Sequence, residues 1–279
     1  MYFSYVNHLG EFINFYGDSP YILTEHSFTD WVLSYSTAGN RSSGYRIAAK
    51  EIPFKIRIMP RRFKGKERPL AFSSMINRFV AIVAADKDQP GRLYAKTGEY
   101  LEGRIIASEK IDWNVDKSVT LNCRLRVDDP VWMHQETHHV EFNDETTYED
   151  LDYPYDYAHD YAATLNGYKT IRNASTEEAD YILTIHGPAS TPFVTLNGIK
   201  VGASVILGAD DSLVIDSRKK TVTKYAGNIV ENAFNSRYKG GPVSMFTKLA
   251  PGAVSAIWSG AFDFDLSVVE TRREPAWMI

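Results

Sequence analysis

The sequence predicts a mainly β protein in two halves, the first of them carrying one helix. Three observations carry that reading. Residues 119–127, Val-Thr-Leu-Asn-Cys-Arg-Leu-Arg-Val, are apolar at every odd position and polar at every even one, the pattern of a strand with one buried face. Asn197-Gly198 sits between two apolar runs, and a two-residue hairpin turn there needs both central residues at positive φ. Short strand patterns then recur at spacings of about 8 to 12 residues, as in a β-sandwich or barrel.

Along the first half, Gly39-Asn-Arg41-Ser-Ser-Gly44 predicts a mobile hairpin tip, since no strand-to-helix context follows it. Arg57, Arg61, Arg62, Lys64, Lys66 and Arg68 form a basic run. It reads either as a solvated loop or as an electropositive surface, meeting an acidic partner or passing DNA without reading its sequence. Phe72, Met75, Ile76, Phe79, Val80 and Val83 fall at i, i+3, i+4, i+7, i+8 and i+11, one apolar stripe. They predict a helix covering a sheet, with a groove for a partner helix as the other reading. Pro69 precedes the stripe and Gln89-Pro90-Gly91 follows it.

From Asp128-Asp-Pro130 to Ala163 the apolar periodicity fails, and Tyr153-Pro-Tyr-Asp-Tyr-Ala-His-Asp-Tyr161 marks a polar connector with exposed aromatics. The domain boundary is placed near residue 140, giving domains 1–140 and 141–279. In the second half, strands are expected at 181–185, 193–196, 199–201, 204–207, 213–216 and 221–225. Alternation returns at Phe262-Asp-Phe264-Asp-Leu266-Ser-Val268, just after Ala256-Ile257-Trp258. No internal repeat is visible.

Composition excludes several classes. Among 279 residues the net charge is −4, so no basic excess marks a nucleic-acid footprint. No run of about 18 apolar residues exists to span a membrane, and the opening MYFSYVNHLGEF is not read as a secretory signal. A single cysteine, Cys123, excludes an intramolecular disulfide framework and a multi-thiolate metal site. It falls on the buried face of its strand and reads as a small core residue. Aromatic residues are 13% of the chain, with 17 tyrosines, enough to leave some for contact surfaces.

The search for chemistry finds no enzyme. His134, His138 and His139 lie beside Glu136 and Glu141, but the rest of an HExxH pattern is missing and the context is not helical. No metal and no cofactor are expected. Asp210-Asp211-Ser212 reads as a turn, and Asp263 with Asp265 as solvated charges on the polar face of a strand. GxSxG, phosphate-loop and GxGxxG patterns are absent.

Several segments do carry a resemblance. They are Tyr153-Pro-Tyr-Asp-Tyr157; Ile185-His-Gly-Pro188 with Pro192; Ile215-Asp-Ser217 with Thr221-Val222; Leu249-Ala-Pro-Gly252 to Ile257-Trp-Ser259; and Arg272-Arg-Glu-Pro275 with Trp277. In order and spacing they resemble the distal tail proteins of long, flexible-tailed bacteriophages. More loosely, Gly10-Glu11, Gly91-Arg-Leu93-Tyr94, Tyr100-Leu101 and Asp129-Pro130-Val-Trp132 extend the likeness through the first half.

The resemblance implies a structural protein with an N-terminal sandwich- or barrel-like domain and a C-terminal galectin-like β-sandwich. Six copies would close a ring that continues the tail tube and passes DNA non-specifically. The implied partners are further copies of the chain, the tail tube protein, the tail-tip hub protein, and receptor-binding or other baseplate proteins. Its place would be the virion tail tip, after synthesis in the bacterial cytoplasm, with no membrane insertion. Candidate ring or lumen contacts are Trp31, Tyr35, Arg41 and Tyr45, with Arg61, Arg62 and Lys64 of the basic run. The family sometimes carries carbohydrate-binding insertions, but no long insertion is visible here. Two alternatives stand beside this reading: a carbohydrate-binding β-sandwich module with exposed aromatics, and a glycoside hydrolase using Asp263 and Asp265.

Overall fold

Antiparallel strands and short turns account for most of the chain, and the computed structural model describes residues 2–60, 67–114, 118–141, 167–175, 177–239, 241 and 243–277. The chain divides into one unit of Met1–His134 with Thr271–Ile279, and another of Gln135–Glu270. In the first unit β1 (Phe3–Val6), β2 (Phe12–Asn14), β3 (Tyr21–His26), β4 (Leu33–Ala38), β5 (Arg41–Ile47) and β6 (Lys50–Ile58) precede the helix α1 (Glu67–Ala85). Then come β7 (Gly91–Ala95), β8 (Tyr100–Asn114), β9 (Ser118–Val127) and β10 (Trp132–Val140), the last leading into the second unit.

Two ladders share one strand. β2, β1, β7 and β8 pair in that order, and β8 pairs again with β9, then β6, then β3. Register shifts at Ile105/Ala107 and Lys110/Asp112 interrupt the β8–β9 ladder. Bulges of this kind bend a strand and raise its twist. Both contribute to one core: Phe3, Tyr5 and Ile13 from the first, Ile56, Leu121, Cys123 and Leu125 from the second. Every odd position of 119–127 is buried, as the alternation predicted.

The helix closes that core. Phe72, Phe79 and Ile82 are buried, with Met75, Ile76 and Val83 packed beside them. Val80, placed on the apolar stripe by its spacing, is instead 46% exposed, while Ile82 is 2% exposed. The buried line runs 72–75–79–82, steps of three and four that follow the contact with the sheet more tightly than the stripe did. Pro69 lies within the first turn, where its missing N–H costs no intrahelical bond.

The second unit contains β11 (Gly167–Asn173), β12 (Asp180–His186), β13 (Ala189–Ser190), β14 (Phe193–Leu196), β15 (Ile199–Gly202) and β16 (Ile206–Leu207). After these come β17 (Asp211–Asp216), β18 (Thr221–Ala226), β19 (Ile229–Asn232), β20 (Gly252–Trp258) and β21 (Phe264–Arg272). One sheet runs β19, β18, β17, β12, β21, β10, and the other β11, β20, β14, β15. Leu183, Ile185, Leu213 and Phe264 of the first pack with Val194, Leu196, Val254 and Trp258 of the second, a β-sandwich. The Asn197-Gly198 turn has φ of 47° and 82°, the pair of positive values that the dipeptide predicted.

One expectation fails in this region. The polar segment after Pro130 is not connector throughout, because Trp132–Val140 forms β10. Its middle residues are exposed, so hydrogen bonding rather than a buried face defines the strand, and no apolar alternation marks it. Residues 142–166, with Tyr153 and its neighbouring tyrosines, lie outside the described residues.

Candidate interaction surface

In the first unit, β4 and β5 form a two-stranded sheet of their own. Gly39-Asn40 makes its turn, with Gly39 at φ 61°. From Ser34 to Ala38 every residue is exposed, so the hairpin has no face turned to a core of its own chain. An isolated two-stranded ribbon is marginal in water.

The register explains why two of the predicted tyrosines meet. Ser34 pairs with Arg46 but Ser36 with Ser43, so Tyr35 stands opposite both Gly44 and Tyr45. Gly44 supplies the positive φ, 65°, that such a bulge requires. The Tyr35 and Tyr45 rings then lie 5.6 Å apart and are 58% and 59% exposed. Arg41 opens β5 directly after the turn, paired with Ala38.

Trp31 lies at the base of this hairpin and is tied to the end of the chain. Its Nε1 donates to Glu274 Oε1 at 2.7 Å, and Trp277 Nε1 donates to Oε2 of the same carboxylate at 2.9 Å. These two indole donors hold the Glu274 carboxyl below the usual range for glutamate. The Arg273 guanidinium lies 5.0 Å over the Trp31 ring. Upstream in the tail, Arg272 pairs with Glu99 at 3.6 Å and the Ala276 N–H donates to the same carboxylate at 3.1 Å. Burial of Glu99 pushes its pKa up, but the hydrogen bonds to its carboxylate and the Arg272 charge outweigh burial and bring it below the usual value. The sequence singled out Trp31 without its partners, which lie 243 residues away and carry no local signal.

Two residues of the basic run belong to described elements. Arg57 belongs to β6, its Nε donating to Thr120 Oγ1 at 3.4 Å, and Arg68 lies in α1. Arg61, Arg62, Lys64 and Lys66 lie outside the described residues.

Of the histidine and aspartate candidates, His139 of β10 and Asp265 of β21 lie in the second unit's larger sheet. His139 Nδ1 sits 2.6 Å from Asp265 Oδ1, and His186 Nε2 sits 2.9 Å from Asp265 Oδ2. One carboxylate thus bridges two imidazoles on adjacent strands β10, β21 and β12. Asp211 Oδ2 accepts the Gly208 N–H at 2.9 Å, closing the turn before β17. Among the described residues no three His, Cys, Asp or Glu side chains are placed to hold a metal ion, and no helix is long and apolar enough to cross a membrane.

No protein-family model matches the sequence, and no curated protein matches it. Solved structures do resemble the fold. A chain of the phage P2 baseplate in its activated conformation with Ca aligns at a TM-score of 0.62 and 10% identity, covering 98% of this chain and 99% of that one. The baseplate with Sr gives 0.62 at 9% identity, with 98% and 99% covered. The Dit protein of phage SPP1, described as a paradigm of hub adsorption apparatus in phages infecting Gram-positive hosts, gives 0.54 at 8% identity, with 97% and 99% covered. At these identities the likeness is one of fold, and it extends over both units.

Proposed function

We propose that this chain is a structural hub of a phage tail, six copies of which form a ring at the distal end of the tail tube. The observation that carries the reading is the match of the whole chain, both units in sequence order, to baseplate and hub proteins over nearly their full length. A fold alone does not assign a function. The exposed β4–β5 hairpin supplies the second support, because ring closure needs two different patches that meet around a rotation axis. Trp31, Tyr35 and Tyr45 suit a protein neighbour, since aromatic side chains dominate interface cores. The hairpin therefore faces the adjacent copy rather than the lumen.

In this role the first unit joins the tube above it and the tip protein below it. The second unit serves as the outward platform for receptor-binding or other baseplate proteins. The work is assembly rather than catalysis, and DNA passes through the ring without sequence reading. The location is tested by labelling purified virions with an antibody against this chain and viewing them by electron microscopy. Label confined to the tail tip is the expected result. Label on the capsid, or along the whole tube, contradicts the hub assignment.

A further inference from the structure

In the second unit, the β14–β15 turn together with residues 237–239, 241 and 243–245 lines an open cavity of about 680 Å³. That volume lies within the range of small-molecule sites, about 300 to 1,000 Å³. Lys200, Arg237 and Lys239 line it, and among the described residues its lining holds no carboxylate. None of the three cations has an ion-pair partner among the described residues. In a chain of net charge −4 this is a local reversal of sign.

Two of the cations are held in place. Lys200 Nζ lies 3.8 Å from the Phe193 ring centroid and 3.7 Å from that of Tyr238, clamped between rings that meet edge to face. Tyr238 is itself fixed at both ends: its hydroxyl donates to the Thr191 carbonyl at 2.9 Å and its N–H to the Gly202 carbonyl at 3.1 Å. Arg237 lies 3.8 Å over the Phe234 ring, and its Nη1 donates to the Phe234 carbonyl at 2.7 Å. Most of the guanidinium's five N–H donors remain for a ligand. A cation–π contact orients a charge without neutralising it, so the cost of ordering these side chains is met before any ligand arrives.

The charge arithmetic selects the ligand. Three cations lining one cavity are poorly matched by a single carboxylate, whereas a phosphate monoester carries about −1.5 to −2 at pH 7 and offers three acceptor oxygens. Arg237 presents a fork that fits such a group, and the lysines add point charges. Beyond the cations the cavity is lined by Asn197 and Ser244, polar groups suited to hydroxyls on a carrier. We propose that this cavity binds a phosphate group, free or carried on a small polyol or sugar, through Arg237, Lys200 and Lys239. The site does not depend on the hub reading.

Calorimetric titration of the full chain with glycerol 3-phosphate, inorganic phosphate and glycerol tests it. Saturable, salt-sensitive binding of the phosphorylated probes with none for glycerol is expected. Tighter binding of glycerol 3-phosphate than of inorganic phosphate identifies a carried phosphate, and equal binding identifies the free anion. Arg237→Gln and Lys239→Gln should each weaken binding at least about tenfold, and Arg237→Lys by less, because charge survives while the fork is lost. Lys239 is exposed, so its variant keeps the fold if Arg237→Gln does not. Silence from both phosphorylated probes at about 10 mM, or unchanged affinity in Lys239→Gln, overturns the proposal.

Discussion

The Tyr5 hydroxyl donates to Asp86 Oδ2 at 2.5 Å, joining the first strand of the chain to the residue that follows α1. Asp86 is 2% exposed, and its other oxygen accepts the His8 N–H and faces His8 Nδ1, both at 2.8 Å. A buried carboxylate is costly unless its oxygens are satisfied, and here β1 and the turn after it supply the donors. Burial raises the Tyr5 pKa first and the Asp86 hydrogen bond raises it further, so the phenol stays protonated and remains a donor. The helix end is thereby fixed to the sheet it covers, which sets where Phe79 and Ile82 enter the core.

Tyr5→Phe should leave one Asp86 oxygen short of a partner and destabilise the first unit by about 1–3 kcal/mol. Gly91→Ala should be at least as damaging, because a Cβ there would stand 2.4 Å from Asp86 Oδ2 and 2.5 Å from the Tyr5 hydroxyl. Urea unfolding followed by tryptophan fluorescence checks both. Wild-type midpoints in both variants would show that the network does not hold the helix.

The His139–Asp265 pair sets a pH dependence in the second unit. The hydrogen bond to Asp265 raises the His139 pKa above its ordinary 6.5, so that contribution is full below 6.5 and fades as pH rises past the raised value. Burial pushes Asp265 up, but the hydrogen bonds from His186 and His139 outweigh it and hold the carboxyl below its ordinary 3.8. The Asp265 contribution is therefore present above 3.8 and lost as pH falls through the depressed value. Asp265→Asn should lower thermal stability most between about pH 4 and 6.5, by less than about 1 kcal/mol because the pair is screened by solvent. A uniform loss across pH 4 to 9, read by thermal melts, contradicts this assignment.

Cys123 should be inert in the folded protein. Burial pushes its thiol pKa up to about 12, so almost no thiolate exists near neutrality. Ellman's reagent at pH 8 is expected to titrate no thiol in native protein and one in denaturant. Rapid native reaction would place the β9 face outside the core.

The hairpin tyrosines should matter for assembly and not for the fold of one chain. A Tyr35→Ser, Tyr45→Ser double variant should stay within about 0.5 kcal/mol of wild-type stability, as exposed substitutions do. It should fail to form the ring in negative-stain images. Intact rings in the double variant would move the ring contact elsewhere.

Elements whose side chains alternate between core and solvent were legible, as β9 and the β14–β15 hairpin show, whereas β21 alternates only over Phe264–Leu266 and is buried on both faces from Leu266 to Glu270. Their pattern is local, fixed by the period of two. The helix was legible too, but which flank of its stripe is buried was not: Val80 against Ile82 is decided by the sheet beneath. β10 left no trace because Gln135, Glu136, Thr137 and His139 meet solvent in a strand held by its neighbours. Most hidden were long-range links. Trp31 with Glu274, and Lys200 with Tyr238, join residues far apart in sequence, and a single sequence encodes neither pairing in any local pattern.

Light scattering on the size-exclusion peak of the purified chain, with negative-stain images of the same fraction, tests the hub account most directly. The monomer is 31.6 kDa, so a six-membered ring has a mass of about 190 kDa. The account predicts that mass for the chain alone, or rings seated on added tail tubes, in either case with a central hole that admits duplex DNA. A 31.6 kDa species at every concentration, with no rings on tail tubes, contradicts it.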